Sequence, residues 1–169
     1  FFPTGPGREG GGVGRVRHTS WNGVPIDTSD AGLRILRGEV PFRSGYCGQT
    51  FAAATGLPSM NANRYPGYFA SHPDRFRQLQ VGEALQPGDY IVWQHYGSDR
   101  STRGWRYGHI GVAGYNARTG QAVLISNFEG DRGRTVLPLA NLPSNFLVYR
   151  QVASSGAARG GARRRRRGG

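Results

Sequence analysis

Apolar positions along the chain change their spacing near residue 80, and that change predicts the order of the elements. Before it the spacing is helical. Thr28, Ser29 and Asp30 offer N-caps, Leu33, Ile35 and Leu36 supply apolar contacts, and Gly38 and Pro41 stop a short helix. A second helix is expected to start near Cys47, after the turn GYCG. Phe51 and Ala54 follow at steps of four and seven, on the same face as Cys47, and Gly56 and Pro58 end it. A third is expected over 72–79, with Ser71 as cap, Pro73 in the first turn and Asp74 at the positive end of the dipole. Beyond it the runs are short and strand-like. Residues 85–89 form a turn, 90–93, 109–115, 122–127 and 146–150 read as strands, and a turn is expected near 116–120. Helices first and a meandering antiparallel sheet second predict an α+β domain.

The two ends lack this patterning. Residues 1–20 are rich in Gly and Arg and read as a flexible linker; residues 153–169 read as a disordered Arg-rich tail. The folded unit is therefore expected over 21–152, long enough to bury a core without disulfides. A chain that opens on Phe1 and not Met is expected to be processed or cut from a longer polypeptide.

The net charge of +12 comes from 22 arginines and no lysine. Such a surface favours polyanions: nucleic acid, anionic lipid or acidic wall polymers. The single cysteine excludes an internal disulfide and a cysteine-rich metal site. No apolar run reaches the ~18 residues of a membrane span.

A lone thiol is either a small core residue or a reactive group. Cys47 stands where a helix should begin, and a helix N-terminus stabilises a thiolate and lowers its pKa. Gly45 and Gly48 flank it and leave room for a substrate. A cysteine nucleophile also needs a base and a group that orients the base. His109 follows Tyr107-Gly108 and opens an apolar strand. His18 falls in the linker, His72 precedes Pro73, and His95 ends a strand among polar residues, so none matches its setting. Asn127 and Glu129 end the next strand, and an antiparallel hairpin would bring them beside His109. Asn127 is preferred as the acceptor that fixes the imidazole tautomer; Glu129 is equally explained as a loop carboxylate paired with an arginine. Trp93 lies in a buried-type strand and is expected in the core. Trp105 and Tyr107 are expected to stack on or flank a substrate.

Three segments, GYCGQTFAAATG, LQPGDYIVWQ with GHIGVAGY, and AVLISNFEG, together with the closing FLVYR, resemble the CHAP family of cysteine- and histidine-dependent amidohydrolases/peptidases. They are similar also to the NlpC-type peptidases. The resemblance covers roughly 29–151. Tyr46 stands where CHAP members often carry glutamine, and the order Asn127 then Glu129 reverses their usual order. The arginine-rich insert GSDRSTRGWR, 97–106, is unusual between the first two strands.

The resemblance implies a papain-like fold, with N-terminal helices packed on a small antiparallel sheet. It implies a peptidoglycan hydrolase, an endopeptidase or an N-acetylmuramoyl-L-alanine amidase, that works through an acyl-enzyme without metal or cofactor. Cys47 is then the nucleophile, His109 the base and Asn127 the orienting residue, with Glu129 as alternative or helper. The Cys47 backbone N–H is the first oxyanion donor; Tyr46 and Gln49 are the candidates for the second and for substrate contact. The expected setting is extracellular, at the cell wall, or in a phage virion, as part of a larger assembly or multidomain chain. Arg163, Arg164, Arg165, Arg166 and Arg167 suit anionic wall polymers, lipopolysaccharide or nucleic acid, or form a solvated tail. The competing expectation is a catalytically inert virion or polyanion-binding protein on the same fold.

Overall fold

The computed structural model describes residues 14–41, 46–128 and 133–152. Glu129, the arginines at 163–167 and residues 1–13 lie outside them. Among the described residues four α-helices and eight strands form an α+β unit in which every strand ladder is antiparallel. No helix among them is long and apolar enough to cross a membrane.

The chain opens with a hairpin, β1 (Arg17–Trp21) and β2 (Val24–Thr28), where a linker was expected up to residue 20. Asn22 and Gly23 make its turn, both at positive φ (49° and 79°), the backbone that a tight two-residue hairpin demands. His18 therefore sits in a strand, with Nδ1 2.6 Å from Asp27 Oδ1, and not in a tail.

Helix α1 (Asp30–Arg37) is capped at both ends as its sequence demands. Ser29 Oγ accepts from the Gly32 amide, and Gly38 closes the helix in the left-handed conformation. Helix α2 (Cys47–Thr55) begins at the cysteine and ends at Gly56. The third helix departs from expectation. It lies earlier, at α3 (Tyr65–Ala70), and Ser71 closes it instead of opening the next. Tyr65 and Phe69, four apart, are its buried face. Residues 76–78 form strand β3, which pairs with the last strand. Phe76 is buried and Arg77 and Gln78 are exposed, so a strand edge suits these residues better than a helix face.

Strands β4 (Tyr90–Trp93), β5 (His109–Asn116), β6 (Ala122–Phe128), β7 (Gly133–Pro138) and β8 (Leu147–Gln151) complete the sheet. Its order is β1-β2-β5-β4-β8-β3, with β6 pairing β5 and β7. The 97–106 insert holds the short helix α4 (Arg103–Tyr107), capped by the Thr102 hydroxyl.

Side chains alternate between two cores, one on each face of the sheet. Tyr90, Val92, Ile110, Val112 and Ile125 join Phe51, Tyr65 and Phe69 from the helices. Ile91, Trp93, Tyr115, Leu124 and Phe128 form the second core with Leu85 and Leu139. Burial on both faces explains why YIVW is a continuous apolar run. The aspartate of the PGD turn has a structural task here. Asp89 takes two hydrogen bonds from the Arg150 guanidinium, each 2.8 Å, and accepts from the Gln86 amide at 2.7 Å. It thereby ties the start of β4 to β8.

Candidate active site

Cys47 is the first residue of α2, and α2 lies against β5 and β6 on the first core. Two glycines make this approach possible. A Cβ on Gly48 would lie 2.1 Å from the Met60 carbonyl oxygen, so the 58–62 segment presses on the helix start. The space beside Gly48 is thus filled by backbone and is not an opening for substrate, contrary to expectation. Gly108 turns the chain at φ +76°, and a Cβ there would lie 2.1 Å from the Trp93 carbonyl oxygen. Only glycine lets β5 begin at His109 so close to β4.

Cys47, His109 and Asn127 come from three elements and line one cavity of about 640 Å³. Tyr46, Gln49 and Tyr107 line it as well, as do Arg64 and Arg103. Trp105 does not. Its ring stacks on His95 (centroids 4.7 Å apart), the Arg100 guanidinium lies 5.4 Å from it, and its carbonyl oxygen lies 2.7 Å from His95 Nδ1. The expected substrate platform is a local cluster that shapes the insert. Trp93 is wholly buried, and its Nε1 donates to the Pro143 carbonyl at 2.9 Å.

The resting chemistry differs from that of a primed thiolate. Burial pushes the Cys47 thiol up to about 11. The backbone N–H groups of Ile110, Gly48 and Cys47 itself, and the charge of Arg103, favour the thiolate but do not offset the burial. Burial likewise pushes the His109 imidazole down to about 3. The proton therefore stays on sulfur at neutral pH, and the expectation of a thiolate stabilised by the helix end is corrected. Iodoacetamide should label Cys47 slowly at pH 7, with a rate that climbs until about pH 11. A plateau below pH 8 would show that the helix end outweighs burial after all.

His109 lies opposite Trp93 in the β4–β5 register, so its ring belongs to the second core's side. It stacks on Phe128 (centroids 4.3 Å apart), beside Tyr96 at 5.0 Å and Trp93 at 5.9 Å. Its Nε2 is buried without a hydrogen-bond partner among the described residues. No hydrogen bond joins the imidazole to the thiol. Nor does Asn127 orient the imidazole in this state; its Nδ2 donates to Thr50 Oγ1 at 3.0 Å, on α2 one turn beyond the cysteine. The contact locks β6 to the helix that carries the thiol. Thr50 was missed in the sequence, and the signal available was its place three residues after Cys47.

A buried neutral histidine sets a pH dependence. The unfolded imidazole binds its proton near 6.5 and the folded one near 3. As pH falls below 6.5 the unfolded chain takes up the proton first. Stability is then complete above that value and drains away towards pH 3, by on the order of a few kcal/mol. His109→Phe, which keeps the ring stack, should flatten this slope. Urea midpoints at pH 7 and pH 4 for both proteins test it; parallel losses would assign the slope to other groups.

No family model matches the chain, and neither a curated protein nor a solved structure matches it.

Proposed function

We propose that the chain is a cysteine-dependent hydrolase of peptide amide bonds, of the peptidoglycan-cleaving kind and papain-like in fold. One observation carries the reading. A cysteine at the first position of a helix and an imidazole with an orphaned buried nitrogen line the same cavity. A buried nitrogen without a partner costs about 1–3 kcal/mol, and such groups call for a reason beyond packing. Phenylalanine would fill the place over Phe128 without that cost. The resemblance of the GYCGQTF, PGD and GH segments adds support.

In this reading substrate binding in the cavity brings sulfur and imidazole into proton exchange. The Cys47 thiol gives its proton to His109, and the sulfur attacks the amide carbonyl carbon. The Cys47 and Gly48 amides, the first two of the helix and both directed at the sulfur, are placed to receive the oxyanion. The Gln49 amide is bonded to the Tyr46 carbonyl at 3.1 Å, so its backbone is not the second donor. His109 returns its proton to the leaving amine, and the thioester is hydrolysed by water that His109 deprotonates.

The second reading, an inert polyanion-binding protein of a virion or wall, is favoured by the neutral, unlinked thiol and imidazole and by the +12 charge. Incubation with purified peptidoglycan, followed by mass analysis of the released fragments, separates the two. Hydrolysis predicts new amine and carboxyl ends at one bond type, lost in His109→Ala. An undigested wall that still retains the protein, and releases it with salt, establishes the inert reading instead.

A further inference from the structure

The insert at 97–106 carries a cation to the cavity. Arg103, the first residue of α4, puts its guanidinium carbon 4.9 Å from the Tyr46 ring centroid and 5.1 Å from that of Tyr107. Two rings thus hold one guanidinium, and one of them belongs to the residue just before Cys47. All three residues line the cavity that holds the sulfur. Aromatic contacts take the faces of a guanidinium and leave its N–H groups directed outward in the plane, the geometry that pairs with a carboxylate. A long arginine is costly to order, and the two rings meet that cost before any ligand arrives.

The charges around the cavity point the same way. Arg64 is the second cation in its wall. The one described carboxylate there is Asp99, and its Oδ1 already accepts from the Ser101 amide at 2.9 Å and the Ser101 hydroxyl at 2.7 Å. His109 is neutral. The described wall therefore has a positive balance next to the sulfur, and the field of Arg103 reaches the thiol.

We infer that Arg103, clamped between Tyr46 and Tyr107, is a specificity residue that selects peptides bearing a carboxylate beside the scissile amide. The inference rests on the hydrolase reading for its substrate, but the contact itself is measurable without turnover. A carboxylate on Arg103 lies next to the sulfur, so the acyl group presented to Cys47 belongs to an acidic peptide. A neutral peptide of the same size leaves the clamped cation unpaired and binds less well.

The test compares two small alkylating reagents of nearly equal size, anionic iodoacetate and neutral iodoacetamide, on Cys47 of the full chain. Free cysteine gives the reference ratio of the two rates. Relative to it, the protein should favour iodoacetate by about five- to tenfold at low salt, the scale expected for one nearby charge. Arg103→Gln should return the ratio to the reference. Arg100→Gln, whose guanidinium lies on Trp105 away from the cavity, should keep most of the preference. Tyr107→Leu, which removes one side of the clamp, should lower it and serves as the second route if Arg103→Gln folds poorly. An equal ratio in the native protein and Arg103→Gln overturns the assignment, as does an equal loss in Arg100→Gln. If neither reagent reaches the sulfur, the hydrolase reading falls with it. A lost preference beside intact peptidoglycan cleavage removes only the carboxylate contact.

Discussion

Cys47→Ala is expected to lower amide hydrolysis by at least about 10³-fold, because no other group can form the acyl-enzyme. Cys47 is the only thiol in the chain. The loss should be in turnover, not in fold. The residue is 8% exposed and lines a cavity, so its sulfur is not enclosed by packing on every side. Alanine is also a better helix former than cysteine at that position. The cost of the missing sulfur is about 1 kcal/mol, a shift of a few degrees in unfolding temperature. The measurement pairs release of new amino groups from purified peptidoglycan with thermal unfolding followed by circular dichroism. Unchanged release from a folded Cys47→Ala protein would end the nucleophile assignment. A collapse of both signals would make the cysteine structural.

Asp89→Ala is expected to be the most destabilising single change in the described fold. Asp89 and Arg150 are both buried and joined by two 2.8 Å bonds. Removal of the carboxylate strands a buried guanidinium, which costs about 3–5 kcal/mol. The Gln86 amide loses its acceptor as well. For a domain of this size that is a fall of about 10–20 °C in unfolding temperature. The pair as a whole is worth far less than either half alone, because its desolvation offsets most of its attraction. Asp89→Leu with Arg150→Met should therefore recover most of the stability lost by Asp89→Ala. If the double variant is as unstable as the single one, the hydrogen bonds to Gln86 and to the Ala84 carbonyl matter more than the charge pair.

These two expectations draw on different kinds of information. The place of Cys47 at a helix start was legible, since GYCG, the apolar steps at Phe51 and Ala54, and Gly56 all act within one or two turns of helix. The PGD turn was legible too, but the partner of its aspartate was not. Arg150 lies sixty-one residues further on, and nothing local marks it among 22 arginines.

The misplaced third helix shows the same limit. Ser71, Pro73 and Asp74 are sound start signals, yet Phe76 is drawn into a strand by its pairing with β8. The first hairpin was missed although Asn22-Gly23 is a strong turn signal, because the surrounding Gly and Arg masked two short strands. Trp105 suited a substrate platform by composition, and its place against His95 follows from the path of the insert.

What the sequence alone determined is what short-range forces settle: caps, turns, strand runs, the order of the motifs and the basic charge. The tertiary structure alone decided which face of the sheet takes His109, that Asn127 holds Thr50, and that Arg103 stands between two tyrosines. It also decided the charge on the sulfur. A helix end acts within one turn and can be read from neighbours. Burial sums contributions from α2, β5, β6 and the 58–62 segment, which meet only when the chain is folded, and here that sum is the larger.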